Sequence, residues 1–255
     1  MFVRRERFGN LIWSDKDKAY FIANNKGIDK QVDRIIQGIK KDLDVLEELK
    51  KMGLRENEKV REIYSDNVNI SAPLEYYFDF TDACNLHCEH CYNRERLNSN
   101  TMEEDQIEYI IKDMYKNGIM RLHLAGGEPT LFPDRLEKYM KEAKKYGIIT
   151  SMSSNGTRIT DEIGKILIDN DVTSFTVSIE SANEKKNAEI RGKNVLVKAI
   201  DGIRKIIEYR SKNNGNFMVA IKMSYDTDIE LKEFEDMIKL AIDLKIDVLK
   251  LINPE

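Results

Sequence analysis

Cysteine is scarce in this chain of 255 residues: there are three. An odd number closes no disulfide framework, and it falls one short of the four ligands that a structural zinc site takes. Long hydrophobic runs are missing too; none approaches the roughly 18 residues needed to cross a membrane. The opening residues, MFVRRERFGN, carry arginines but no apolar stretch of the kind a signal peptide needs. An excess of charge of one sign is also lacking. Lys and Arg number 41 against 45 Asp and Glu, a formal net charge of −4, and the lysines and glutamates are interspersed rather than blocked. That balance argues against a general nucleic-acid surface. The length suits one mid-sized domain plus a small one, and 41% hydrophobic residues suffice for a packed core.

The cysteines that are present stand together, as CNLHCEHCY: Cys84, Cys88 and Cys91. A spacing of four and then three residues can place them along one helix face as inert buried thiols. Polar Asn85, His87, Glu89 and His90 lie between them, however, and no apolar stripe accompanies them. A zinc ion completed by His87 or His90 is a second reading. The third, and the one favoured, is an iron–sulfur cubane, which usually takes one thiolate per iron. Three thiolates leave one iron without a protein ligand, and an open position is where chemistry happens. Clustered thiols without disulfide pairing fit a reducing cytoplasm, and an oxygen-sensitive cluster fits an anaerobic or low-oxygen host.

The chain changes rhythm near Pro73. Before it, Phe2 to Phe8, Leu11 to Trp13 and Lys18 to Ala23 read as short strands, with a turn at Ser14 to Asp17. Helical periodicity follows through Val32, Ile35, Ile36 and Ile39, then Val45, Leu49 and Met52, stopping at Gly53. The polar stretch from Arg55 to Asn69 is expected to hold a short helix and a linker. After Pro73 strands and helices alternate. Strands are expected at Tyr76–Phe80, Met120–Ala125, Ile148–Met152, Thr173–Ile179, Phe217–Met223 and Asp247–Ile252. Helices are expected at Thr101–Asn117, with Thr101 as N-cap, at Pro133–Tyr146 and at Asp161–Ile168. Two more are expected, one burying Leu196, Ile200, Ile203 and Ile207, the other Phe234, Ile238 and Ala241. Such alternation means parallel strands with right-handed crossovers. The expected fold class is α/β: a partial (β/α)6 TIM-like barrel over residues 69–255, with a small N-terminal α+β winged-helix-like domain and linker over 1–68.

In its cysteine motif the chain resembles the radical S-adenosylmethionine (radical SAM) enzymes. The similarity continues in order. Leu124-Ala125-Gly126-Gly127-Glu128-Pro129-Thr130 is similar to the family's GGE segment, and Ser153-Ser154-Asn155-Gly156-Thr157 to the segment ending the third barrel strand. Thr176-Val177-Ser178-Ile179-Glu180-Ser181 matches the end of the fourth, and Arg191-Gly192 follows where many members carry an arginine. The resemblance implies a [4Fe–4S] cluster on Cys84, Cys88 and Cys91, with S-adenosylmethionine chelated at the open iron and cleaved by one electron at a C–S bond. It also implies a one-electron donor such as flavodoxin or ferredoxin. By motif match, Gly126 and Gly127 would let backbone approach the methionine moiety, and Glu128 would hold its ammonium group. Ser153, Asn155, Ser178 and Glu180 would bond the ribose or the carboxylate, Arg191 would pair with the carboxylate, and His90 would contribute an adenine contact through its backbone. Leu251 and Ile252 would offer adenine an apolar face. No catalytic residue beyond these is assigned. His123 is expected to pack under a helix rather than face the lumen, and Tyr76, Tyr77 and Tyr92 to serve as aromatic packing.

The N-terminal residues, with FVRRERFGNLIW and KAYFIAN, resemble the peptide-recognition modules fused to peptide-modifying members of this family, related to the pyrroloquinoline quinone peptide chaperone. That likeness implies a peptide or protein substrate whose leader is bound by strand addition; a small-molecule cofactor precursor is the alternative, and a non-catalytic Fe–S or zinc scaffold a remote one. The cysteine-rich extension of many such relatives has no counterpart after Cys91. The chain is therefore expected to be a minimal member, a fragment, or a partial barrel completed by a partner subunit. Neither nucleic acid nor membrane is expected as a partner.

Overall fold

The computed structural model describes residues 1–6, 9–14, 16–23, 61–63, 72–98, 102–226 and 228–253, with isolated positions between 30 and 51. Two compact units emerge: residues 1–75 with 112–120, and residues 76–111 with 121–255.

In the first unit, alternating apolar residues build a four-stranded sheet of β1 (Phe2–Glu6), β2 (Gly9–Ser14), β3 (Ala19–Ala23) and β4 (Arg61–Ile63), ordered β3-β2-β1-β4. The first three strands are antiparallel and β4 runs parallel to β1. Ser14 makes the turn after β2: its Oγ accepts from the Asp17 N–H at 2.9 Å and donates to Asp17 Oδ2 at 2.7 Å. Trp13 is wholly buried, its ring 4.9 Å edge-on from that of Tyr20. The Tyr20 hydroxyl donates to Gly118 O at 2.7 Å and accepts from the Met120 N–H at 2.9 Å. Arg4 is buried as well, a costly placement for a charge unless its donors are used; it donates to Ala72 O at 2.8 Å and Pro73 O at 3.2 Å. Within the polar stretch expected to hold a short helix, residues 61–63 form strand β4, and the rest of that stretch lies outside the described residues. Pairing with the open edge of β1 overrides the weak local helix preference of Arg61-Glu62-Ile63. The helical positions Ile35, Ile36, Ile39, Val45 and Met52, the Gly53 stop and the Thr101 cap lie outside the described residues.

The second unit holds six parallel strands: β5 (Tyr76–Asp79), β6 (Arg121–Ala125), β7 (Ile149–Ser154), β8 (Ser174–Ser178), β9 (Met218–Ser224) and β10 (Val248–Ile252). Spatial order equals chain order. The sheet therefore winds one way only, as in a barrel wall, and never reverses as in a doubly wound sheet. The connecting helices are α1 (Glu104–Lys116), α2 (Pro133–Lys145), α3 (Asp161–Asp169), α4 (Glu184–Arg191), α5 (Leu196–Lys212) and α6 (Leu231–Asp243). Local chemistry explains their starts. Pro133 opens α2, Thr160 Oγ1 caps α3 by accepting from the Ile163 N–H, and Asn183 caps α4 through the Lys186 N–H.

Outward-pointing strand residues Leu122, Leu124, Met152, Phe175, Val177, Val219, Ile221 and Met223 are buried, as are Leu136, Met140, Ile163, Leu167, Ile203 and Met237 of the helices. Burying one such side chain stabilises the fold by about 1.5–3 kcal/mol. Two helix faces are turned from the expected ones. In α5 the buried set is Leu196, Ala199, Gly202, Ile203 and Ile206, with Ile200 and Ile207 on the flank. In α6 Met237 and Ala241 are buried while Ile238 is exposed. Isoleucine is apolar wherever it stands, so periodicity alone misjudged the centre of each stripe. No helix among the described residues is long and apolar enough to cross a membrane.

Candidate active site

The inner face of the sheet carries polar residues, some expected and some not. Barrel interiors are commonly filled by bulky branched side chains. Here the side chains alternating with the outward core are His123, Ser153, Thr176, Ser178, Lys222 and Lys250, and they line a cavity of about 480 Å³. The three cysteines open on the same cavity, together with His90, Tyr92, Gly126, Gly127, Asn155, Glu180 and Arg191.

Cys84, Cys88 and Cys91 sit in the loop after β5, which makes tight turns rather than a helix: the Cys91 N–H donates to Cys88 O at 3.3 Å and the Arg94 N–H to Cys91 O at 3.2 Å. The helix-face alternative is thereby corrected. The thiols are free and pack beside Leu86 and Val195. Burial pushes the Cys84 and Cys88 thiols above their ordinary range, against the pull of the Arg191 charge. Among the described residues, no three His, Cys, Asp or Glu side chains gather tightly enough for a single metal ion. A cubane takes each thiolate on a different iron and so a wider set than a single ion does, and three soft sulfur donors on one cavity wall suit three of its irons and leave the fourth open.

The GGE segment holds that loop in place. A Cβ on Gly126, whose φ is +122°, would lie 2.4 Å from Thr81 O, and one on Gly127 would lie 2.1 Å from Ala83 O. The bare glycines therefore make room for the cysteine loop, whose Thr81 and Ala83 carbonyls accept from the Gly127 and Glu128 N–H groups, both at 2.7 Å. Glu128 is wholly buried and does not line the cavity. Its Oε1 accepts from the Thr130 N–H (3.0 Å), Thr130 Oγ1 (2.6 Å) and Ser154 Oγ (2.8 Å), and its Oε2 from the Asn155 N–H (2.6 Å). In this structure the carboxylate thus joins the ends of β6 and β7.

Asn155 is likewise engaged. Its Nδ2 donates to Asn85 Oδ1 at 2.7 Å and its Oδ1 accepts from Thr157 Oγ1 at 2.7 Å, while Asn85 Nδ2 reaches Thr157 Oγ1 at 2.8 Å. This triad ties the residue after Cys84 to the end of β7. Glu180 is the second hub. Its Oε1 lies 3.3 Å from Arg191 Nη1 and 3.4 Å from His90 Nε2, and its Oε2 accepts from the Ser224 N–H at 2.7 Å. Burial alone would raise its pKa; the bonds from His90 and Ser224 and the Arg191 charge outweigh burial and hold it below the usual carboxylate range.

His123 corrects its expectation. The ring lines the cavity, its Nδ1 2.8 Å from Ser151 Oγ, its Nε2 2.9 Å from Ser153 Oγ, and its centroid 4.7 Å from that of the Tyr77 ring. Burial, then the charges of Lys250 and Lys222, push its pKa down to about 4. Tyr77 thus belongs to the cavity wall, and Tyr92 donates to both oxygens of Asp79 at 2.9 Å. Ile252 reaches the cavity; Leu251, one step along the strand, faces away and is 43% exposed. Sequence reasoning missed Asn85, Asp79, Lys222 and Lys250. The lysines had left a signal: a lysine inside the apolar runs VAIKM and VLKLI is expensive to bury without a purpose.

Residues 78–241 match the Radical SAM superfamily. The chain belongs to that superfamily. Its cofactors are a [4Fe–4S] cluster and S-adenosylmethionine. The chain is 32% identical over 178 residues to a probable GTP 3',8-cyclase from Pyrococcus horikoshii, covering 69% of this chain and 54% of that one. It is 28% identical over 138 residues to the mycofactocin maturase MftC from Mycolicibacterium smegmatis, covering 52% and 35%. It therefore spans about half or less of these relatives. Streptococcus suis SuiB bound to its precursor peptide SuiA superposes with a TM-score of 0.73 at 18% identity, over 100% of this chain and 62% of that chain. That likeness is one of fold, the partial barrel included.

Proposed function

We propose that this radical SAM enzyme modifies a side chain of a ribosomally made peptide or protein. The observation that carries the reading is coverage: SuiB, a protein seen with a precursor peptide, superposes on the whole of this chain, the N-terminal sheet included. MftC is described as a maturase, which agrees. In the N-terminal unit β3 is an edge strand with Phe21 40% and Ile22 64% exposed, a form suited to strand addition by a leader. The GTP cyclase relative supports a second reading, a small nucleotide substrate.

Cys84, Cys88 and Cys91 would hold the cluster, and Gly126, Gly127, Ser153, Asn155, Ser178, Glu180, Arg191 and His90 surround the cofactor chamber. A [4Fe–4S] cluster on these cysteines, with S-adenosylmethionine beside it, would supply one-electron reductive cleavage of a C–S bond, the electron delivered by a flavodoxin or ferredoxin in a reducing cytoplasm. The chain's own residues do the rest. Glu128 and the Asn85–Asn155–Thr157 triad hold the cysteine loop against the ends of β6 and β7. Glu180 keeps Arg191 and His90 at the cavity wall. The apolar shell of Leu86 and Val195 limits water around the thiolates.

Anaerobic reconstitution should load about four irons per chain, and replacing any one of the three cysteines with Ala should abolish loading and 5′-deoxyadenosine formation. Ile22→Lys on the β3 edge should weaken binding of a cognate precursor peptide while cofactor cleavage continues. Unchanged peptide affinity in that variant counts against the leader role. A wild-type site holding one zinc and no sulfide overturns the radical reading.

A further inference from the structure

His123 on β6 is held from two sides by β7, where Ser151 stands directly opposite it and Ser153 lies further along the strand. Nδ1 lies 2.8 Å from Ser151 Oγ and Nε2 2.9 Å from Ser153 Oγ, and each hydroxyl has this one partner among the described residues. Burial, then the charges of Lys250 and Lys222, keep the imidazole neutral. A neutral imidazole carries one N–H and one lone pair. One serine must therefore accept from the ring while the other donates to it. The two arrangements differ in what Ser153, which lines the cavity, has left to offer a bound molecule.

Position chooses between them. Ser153 stands opposite Thr176 on β8, and Lys222 stands opposite Ser178, further along β8 in the same direction. Lys222 lines the cavity with Ser153, whereas Ser151 does not reach it. The Lys222 charge that acts on the ring thus comes from the Ser153 side. An imidazole dipole turns its lone pair toward a cation and its N–H away. The Nδ1–H tautomer follows: Nδ1–H donates to Ser151 Oγ, the Ser153 hydroxyl donates to Nε2, and the Ser153 oxygen keeps its lone pairs for the cavity.

We propose that His123 is a positioning residue: by holding the proton of the Ser153 hydroxyl, it makes that oxygen an acceptor for a hydroxyl group of the molecule bound in the cavity. A hydroxyl can donate to such an oxygen; a carboxylate, which only accepts, cannot. S-adenosylmethionine carries both, so Ser153 is assigned to its ribose diol and not to its carboxylate. The assignment rests on Ser153 bordering the cofactor chamber and is independent of the peptide reading.

The cluster-free protein under reducing conditions gives the first test. The chain has three histidines, so the imidazole signals missing from His123→Gln identify this residue in two-bond ¹H–¹⁵N correlation spectra at neutral pH. The Nδ1–H tautomer is expected, and an Nε2–H ring overturns the proposal. The anaerobically reconstituted protein is then titrated with S-adenosylmethionine by calorimetry. Ser153→Ala and His123→Phe should each weaken binding about three- to tenfold, the worth of one neutral hydrogen bond. The double variant should lose no more than either alone, because His123 acts through Ser153. His123→Gln, whose side-chain oxygen can accept in place of Nε2, should recover part of the His123→Phe loss and so exclude misfolding as its cause. Losses that add in the double variant, or wild-type affinity in Ser153→Ala, overturn the proposal. Against the 2′-deoxy or the 3′-deoxy analogue of S-adenosylmethionine, Ser153→Ala should bind as well as wild type; a defect of undiminished size against both analogues overturns the ribose assignment. Failure of the peptide reading changes none of these measurements, since none uses a peptide.

Discussion

Glu128→Gln separates a carboxylate that braces the fold from one that awaits a ligand. The native group is wholly buried and accepts four hydrogen bonds, three at Oε1 and one, from the Asn155 N–H at 2.6 Å, at Oε2. A glutamine can keep its oxygen at the Oε1 position, beside Thr130 and Ser154. Its NH₂ then faces the Asn155 N–H, donor against donor. The charge-assisted bond is lost, about 1.5–3 kcal/mol, and a buried N–H is left without an acceptor, about 1–3 kcal/mol more. The sum, about 4 kcal/mol, is a large part of the 5–15 kcal/mol that typically holds a domain together. Urea unfolding of the cluster-free protein under reducing conditions reads it directly. At a slope of about 3 kcal/mol/M the midpoint should fall by about 1.3 M. A midpoint equal to wild type, with S-adenosylmethionine affinity sharply reduced, would refute the brace and return Glu128 to the cofactor.

His123, held neutral by burial and by the charges of Lys250 and Lys222, should show an imidazole pKa of about 4 by NMR titration. Unfolding restores an ordinary imidazole, so the stability tied to neutral His123 is full above pH 6.5 and is lost as pH falls toward 4, amounting to about 3 kcal/mol in all; a measured value above 6 contradicts this. Gly127→Ala would set a methyl 2.1 Å from Ala83 O, so the cysteine loop must move, at about 1–3 kcal/mol, and reconstituted iron content and melting temperature should both fall; wild-type values for both would show that the loop tolerates the side chain. Arg191→Met leaves Glu180 buried without its permanent cation, which should cost about 3 kcal/mol and move acid unfolding to higher pH, because the carboxylate then protonates more readily. Acid-unfolding curves that superimpose on wild type would dismiss that pairing.

Much of this molecule is legible in its residues alone. Three cysteines in nine residues, with no fourth anywhere, already define an open donor set. Strand-and-helix alternation places all six barrel strands to within a residue or two, because apolar periodicity is set by the backbone repeat and does not depend on partners. What periodicity cannot say is which side of a strand faces which environment. His123, Lys222 and Lys250 look like isolated polar residues in apolar runs; only the closing of consecutive strands around one lumen puts them on a single wall. The same limit applies to the motif residues. Glu128 and Asn155, expected from their motifs as cofactor contacts, also hold together loops that are distant in sequence, and a hydrogen bond such as that from Asn155 Nδ2 to Asn85 Oδ1 spans 70 positions. The short strand Arg61–Ile63 illustrates the point from the other direction: three residues with no β pattern of their own become a strand because β1 offers an unpaired edge. Chemistry that lies within one stretch of chain was decided by the sequence; chemistry that needs two stretches to meet was decided by the fold, because pairing partners are chosen by tertiary proximity.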